Sequence, residues 1–230
     1  ESRQVFCGAL DHSVSYDYSY DGVMRSLEQS LLRLGVSHID LALVHDLDPW
    51  THGDAYERHY AAALKGAVPA LQEMKSQGVI RAFGAGLNDA DSAERFSRDA
   101  SPDAILLAGR YSLLEQPALD SFLPLAEGTG IGVILGGVFN SGILATGAIK
   151  GARYDYAEAP PQILDRVRRI ESICERHGTP LRRAAVQFAL APPAVSSLIL
   201  GAARPNEVTM QIEDIAAPIP TALWAELRRE

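Results

Sequence analysis

Cysteine is scarce in this chain: Cys7 and Cys174 are the only two among 230 residues, lie far apart and match no metal-ligand spacing. A disulfide framework, a cysteine-bound metal and thiol catalysis are set aside, and a reducing, cytoplasmic setting is expected. A basic stripe is absent too. The net charge is -8, with acidic residues scattered along the chain, so nothing is arranged to neutralise a phosphate backbone and nucleic acid is not an expected partner. No apolar run approaches the roughly 20 residues of a membrane span, so no membrane is expected either. No Gly-x-Gly-x-x-Gly turn follows an apolar strand. The segment from Glu1 to Tyr20 is polar, aromatic and aperiodic, and reads as a surface loop rather than a signal peptide.

What is present is apolar material in a helical and then a strand rhythm. Hydrophobic residues make up 47% of the chain, enough to bury the core of one domain, and no change of composition divides 1–230. The most informative run is Arg25 to Asp46, RSLEQSLLRLGVSHIDLALVHD. Val23, Leu27, Leu31 and Leu34 recur at helical spacing, Asp21 is placed to cap the helix start, and Gly35 to end it in a left-handed turn. Ile39 to Val44 then reads as a strand buried on both faces, ending on His45 and Asp46.

The alternation continues. LDPWTHGDAY is irregular; Leu64, Val68, Leu71 and Met74 share a helix face that stops near Gly78; VIRAFGAGL is a strand, and Asp91 to Arg98 a short helix. AILLAGRYSLL and IGVILGGVF read as strands on either side of a helix from Leu119 to Glu127, introduced by Pro117. After a glycine-containing loop come helices over Pro161 to His177 and Leu181 to Leu190, the strand SSLILG, a helix from Pro205 and a helical tail. About five strands separated by helices require crossover connections and a parallel sheet. That leaves an open doubly wound sheet or part of a closed eight-stranded barrel, and the missing dinucleotide fingerprint favours the barrel.

In either architecture chemistry sits at the carboxyl ends of the strands. The residues there are His45 and Asp46, Asn88 and Asp89, Arg110 and Tyr111, Asn140 and Ser141, and Gly201 to Arg204. His45 is the natural proton handler, against the plainer role of a strand-end histidine bonded to backbone. Asp46, Asp48 and Asp89 are read as loop residues or caps, and Tyr18 and Tyr20 as packing at the entry to the first helix. GGVFNSG lets backbone approach a ligand closely and offers Asn140 and Ser141 as donors, and GAARPNEV precedes a helix whose free amides suit a phosphate. His12, His38, His52, His59 and His177 are read as surface residues, with no metal site.

On these residues the chain resembles the aldo-keto reductase superfamily. RSLEQSLLRLGVSHIDLALVHD is close to that family's helix-strand signature, with His45 at the place of its active-site histidine. YSYDGVMRSLEQSLLRLG, LLAGRYSLLEQPALDSFLPLA and GGVFNSGIL resemble its bacterial branch of D-threo-aldose 1-dehydrogenase, L-fucose dehydrogenase and pyridoxal 4-dehydrogenase. The resemblance covers essentially the whole chain. It implies an α/β (β/α)8 barrel of aldo-keto reductase type and hydride transfer with a nicotinamide dinucleotide lying across the carboxyl ends of the strands. Asn88 matches the carboxamide-holding position. Gly137, Val138, Phe139, Asn140, Ser141, Gly142 and Leu144 match the loop over the pyrophosphate; Gly201, Ala202, Ala203, Arg204, Glu207 and Gln211 match the segment at the adenosine end. His45 would orient the substrate oxygen. Apart from the resemblance, Trp50, His52 and Tyr56 in the loop after that strand are candidates to line the pocket, against the plainer role of surface packing, and Tyr111 is a further substrate-side candidate.

Departures from the family pattern refine the expectation. Ala108 stands where many members place a glutamine beneath the carboxamide, and Gly136 where they stack a tyrosine on the nicotinamide, which leaves Phe139 as the ring to replace it. Glu207 replaces an arginine that binds the 2'-phosphate, which favours NAD over NADP. The family's catalytic aspartate, tyrosine and lysine have no match here, so the chain is expected to be the carboxyl-terminal part of a longer enzyme, lacking its first strands, or to recruit strands from another chain. The implied activity is oxidation of an aldose at C1 to a lactone, or interconversion of a small carbonyl and alcohol, on a sugar or pyridoxal-like molecule. The competing reading is a non-catalytic module that binds a dinucleotide or a partner; oligomerisation is open.

Overall fold

Ser19, rather than Asp21, starts the first helix in the computed structural model, which describes residues 14–227. The Ser19 hydroxyl accepts the Gly22 amide at 3.1 Å, whereas Asp21 lies inside the first turn, where its charge suits the helix's positive end. This helix, α1 (Tyr20–Leu34), closes as expected on Gly35, whose φ of 67° lets its amide reach the Leu31 carbonyl at 2.9 Å.

The strands are β1 (Ile39–His45), β2 (Ile80–Leu87), β3 (Ala104–Ala108), β4 (Gly132–Gly136) and β5 (Val195–Leu198). They form one parallel sheet in chain order, β1-β2-β3-β4-β5. The helices between them are α2 (Tyr56–Ala62) and α3 (Val68–Ser76), joined by the π-helical Ala63–Ala67, then α4 (Ala90–Ala100), α5 (Phe122–Thr129), α6 (Pro161–Arg176) and α7 (Leu181–Leu190). After β5 come α8 (Pro205–Ala216) and α9 (Thr221–Leu227). A two-stranded ribbon, Arg153–Tyr154 with Ala157–Glu158, projects from the loop after β4.

Several boundaries depart from the sequence pattern. The stretch after β1 is ordered into a short helix, Pro49–His52, and a 3-10 turn, Gly53–Ala55. The strand in AILLAGRYSLL stops at Ala108, because Gly109 turns the chain at φ 68°, and the strand in IGVILGGVF stops at Gly136 before Gly137 at φ 64°. Leu119 to Glu127 divides into a 3-10 turn, Pro117–Leu119, and α5. β1 is not buried on both faces: of its side chains only Val44 is fully enclosed, and among the described residues this strand borders the sheet with a neighbour on one side only.

Strand residues Phe83, Ile105, Leu107, Val133 and Leu135 meet Leu71, Met74, Phe96 and Phe122 from the helices in the main core. Burial of each such side chain contributes about 1.5–3 kcal/mol. A second cluster, with Leu113, Ile143, Leu144, Val167, Ile170, Leu181 and Leu223, lies beneath the loops after β3 and β4. It fixes those loops over the carboxyl ends of the strands. Among the described residues no helix is long and apolar enough to cross a membrane.

Candidate active site

β1 delivers His45 to the carboxyl edge, and β2 delivers Asn88 beside it. The imidazole lies against Gly86, its register partner's position on β2: a Cβ there would stand 3.0 Å from His45 Cδ2. Asp46, at φ 56°, turns back so that Oδ1 is 3.0 Å from His45 Nδ1 and accepts Asn88 Nδ2 at 3.3 Å. One carboxylate therefore joins the two residues. With Nδ1 directed at Asp46, the exposed His45 ring keeps Nε2 without a hydrogen-bond partner among the described residues.

Asp48 makes a denser set of contacts. Its side chain is fully buried and accepts the Thr51 amide at 2.9 Å, the Asn88 amide at 3.1 Å and Asn88 Nδ2 at 3.2 Å. It is the cap the sequence suggested, and also a bridge from β1 to β2. Arg110 Nε completes the frame by donating to the Asn88 carbonyl at 2.6 Å.

Asn88, Trp50, Ala108, Arg110, Gly137, Asn140 and Ser141 line one cleft of about 150 Å³, together with Asp155 and Tyr156 from the turn of the ribbon. Gly137 has no substitute here, since a Cβ would stand 2.9 Å from the Gly109 amide nitrogen. Asn140 and Ser141 are both left-handed, at φ 44° and 61°, a conformation that costs non-glycine residues about 1–3 kcal/mol each and collects at ligand sites. Ser112, fully buried, donates its hydroxyl to Asn140 Oδ1 at 2.5 Å and accepts the Leu114 and Glu115 amides at 3.1 Å each. Asn140 Nδ2 is buried and has no hydrogen-bond partner among the described residues. A buried donor left over beside a cleft fits an oxygen-rich ligand such as a pyrophosphate. Ser141 Oγ is engaged by the Tyr156 amide at 2.9 Å.

A groove of about 500 Å³ adjoins this cleft across Trp50, Asn88 and Arg110, and is lined by Tyr56, Asp89 and Arg95. His45 faces a different cavity, of about 360 Å³, beside Tyr16, Tyr18, Leu41 and Leu43. Tyr18 donates to the His45 carbonyl at 2.8 Å, and His52 Nε2 stands 2.9 Å from its hydroxyl. Burial, then the neighbouring Tyr16, Asp46 and Asp48, hold the Tyr18 phenol well above its ordinary range. His52 and His59 are partly exposed and stack on one another, with 4.2 Å between ring centroids, and His177 pairs with Glu226 at 2.9 Å. His12 and Cys7 lie outside the described residues.

Other expected site residues are turned elsewhere. The Val138 side chain belongs to the main core and Leu144 to the second, while Phe139 packs against that second cluster and is not among the residues that line the cleft. Gly142, at φ 99°, shapes the loop without lining the cleft. Tyr111 is buried and stacks on Phe188 at 5.1 Å, on a separate cavity of about 700 Å³ that it shares with Trp224. Gly201, Ala202, Ala203 and Arg204 are exposed before α8. There Glu207 Oε2 accepts the Ala203 amide at 2.7 Å and the Arg204 amide at 3.3 Å, and Gln211 Nε2 donates to the Gly201 carbonyl at 2.8 Å. Among the described residues no group of three or more His, Cys, Asp or Glu is placed to hold a metal. Sequence reasoning gives Asp48 only the role of a loop residue or cap, and Arg110 and Ser112 no specific role, because their partners at Asn88 and Asn140 lie 22 to 40 positions away.

The aldo/keto reductase family model matches residues 5–229. The chain belongs to that family. It is 43% identical over 216 residues to pyridoxal 4-dehydrogenase of Microbacterium luteolum, covering 94% of this chain and 63% of that enzyme. It is 40% identical over 214 residues to D-threo-aldose 1-dehydrogenase of a Pseudomonas species, covering 92% and 62%. The chain thus spans less than two thirds of the length of these curated relatives. Among solved structures, the glycerol dehydrogenase of Gluconobacter oxydans matches with a TM-score of 0.74 at 22% identity, over 95% of this chain and 66% of that one. An aldo-keto reductase of Bacillus halodurans in its holo form matches with a TM-score of 0.74 at 21% identity, over 93% and 68%. The five strands are therefore part of an aldo-keto reductase (β/α)8 barrel, not an open doubly wound sheet.

Proposed function

We propose that this aldo-keto reductase chain binds a nicotinamide dinucleotide along the carboxyl edge of its sheet and serves a dehydrogenase that oxidises an aldose at C1, or a pyridoxal-like alcohol. The observation that carries the reading is the convergence of Asn88, Gly137, Asn140 and Ser141 on one cleft, with the buried Asn140 Nδ2 still in need of an acceptor. The relatives named pyridoxal 4-dehydrogenase and D-threo-aldose 1-dehydrogenase support the substrate class.

When bound, the dinucleotide supplies the carbon that exchanges hydride with the substrate. Asn88 holds its carboxamide, the Gly137–Ser141 turn offers Asn140 Nδ2 to the pyrophosphate, and the segment from Gly201 to Gln211 receives the adenosine end. His45 directs Nε2 at the substrate oxygen, and Trp50 forms a wall of the substrate side. Glu207 favours NAD: its carboxylate already occupies the Ala203 and Arg204 amides, and its charge opposes a 2'-phosphate. A panel of L-fucose, arabinose, galactose and pyridoxal, followed by NADH absorbance with NADP in parallel, tests the reaction, and calorimetric titration with NAD tests the site. Lack of any NAD binding overturns the reading.

A further inference from the structure

Of the polar atoms of Asn88, all but one are engaged by the protein. The amide N–H donates to Asp48 Oδ2, the carbonyl accepts from Arg110 Nε, and Nδ2 donates to both Asp46 Oδ1 and Asp48 Oδ2. Ionised carboxylates only accept hydrogen bonds, so two of them on one side of a side-chain amide admit the NH₂ group there and exclude the carbonyl oxygen. Reversing the amide would bring Asn88 Oδ1 against two carboxylate oxygens. The atom left without a protein partner among the described residues is Oδ1, on a residue that lines the cleft.

We propose that Asp48 is a positioning residue, whose buried carboxylate, seconded by Asp46, fixes the Asn88 side chain so that the cleft is read by a hydrogen-bond acceptor and selects a ligand that brings an N–H donor. This rests on the dinucleotide reading above, for which the donor is the carboxamide NH₂. It assigns to Asp48 a task that a helix cap does not have. Asp48 is fully buried, and the Thr51 amide alone would leave one of its oxygens unpaired; Asn88 takes the other through two bonds.

The test compares NAD with its 3-acetylpyridine analogue, in which a methyl ketone replaces the carboxamide and the donor is lost. Affinities are measured by titration calorimetry on the full chain, wild type and Asp48→Asn, with thermal unfolding of the ligand-free proteins alongside. Wild type is expected to prefer NAD by about tenfold, the factor that one unmade hydrogen bond commands. In Asp48→Asn an amide can present either end to Asn88, so Asn88 is free to turn over; the preference is expected to fall to about twofold or less. A general structural role for Asp48 weakens both ligands together and leaves their ratio at the wild-type value, which overturns the proposal. Equal affinity for both ligands in wild type overturns it as well. Failure of NAD itself to bind wild type speaks against the dinucleotide reading instead, so the two failures are separable.

Discussion

The hydroxyl of Tyr18 donates to the backbone carbonyl of His45 across 2.8 Å, tying the segment before α1 to the last residue of β1. The bond is part-buried, and among the described residues β1 is one of the two edge strands of the sheet. Tyr18→Phe leaves that carbonyl without its partner. The expected loss is about 1 kcal/mol of stability, read as a lower urea midpoint at unchanged m-value. A midpoint equal to wild type would show that water replaces the hydroxyl at no cost.

His45→Ala removes the ring that Asp46 orients. Turnover is expected to fall about 100-fold or more if a positioned proton handler is lost, while NAD affinity, which depends on groups across the cleft, stays within about twofold. A parallel collapse of NAD binding would place His45 in the cofactor frame instead.

Gly86→Ala tests the same ring from beneath. The new methyl would stand 3.0 Å from His45 Cδ2 and 3.3 Å from Nε2, so the imidazole must give by a few tenths of an ångström away from β2. The exposed ring can move at small cost in stability, and the expected signature is reduced turnover with a melting temperature close to wild type. Unaltered kinetics would mean that the position over Gly86 is not the working one.

Glu207→Gln removes the negative charge at the first turn of α8 but keeps an oxygen for the Ala203 and Arg204 amides. The ratio of NAD to NADP affinity is expected to fall about tenfold, with little change in stability. Retention of the wild-type ratio would remove Glu207 from the account of cofactor choice.

The stacked histidines predict a pH response of definite sign. Burial first, and then His52 and Arg58, hold the His59 imidazole below its ordinary value of 6.5. The unfolded chain therefore binds this proton more readily than the folded one, so the site's contribution is whole above about pH 6.5 and is lost as pH falls through the window beneath it. Urea midpoints at pH 7.5 and 5.5 are expected to differ more in wild type than in His59→Gln. Identical differences would assign the acid sensitivity to other groups.

The legible parts of this molecule are those in which cause and effect lie close along the chain. The run through α1 and β1 carries its own periodicity, its glycine stop and the histidine at the strand end, so its place at the carboxyl edge could be read directly. The extent of β3 could not, because apolar residues continue through Leu113 and Leu114 after Gly109 has turned the chain into the second cluster. Tyr111 and Phe139 shared that difficulty: an aromatic residue after a strand can face a cleft or a neighbouring helix, and contacts with Phe188 and the second cluster decide it. Asp48 reads locally as a cap, which it is. Its hold on Asn88 arises only when β1 and β2 are registered side by side, with His45 opposite Gly86.

The order β1-β2-β3-β4-β5 has a kinetic consequence. As the polypeptide emerges in sequence during synthesis, each of β2 to β5 finds the strand that precedes it in the sheet already laid down. Assembly can advance in a single direction, by repeated closure of one loop at a time, which keeps the sequence separation of pairing residues short for a parallel sheet and limits the entropy lost at each step.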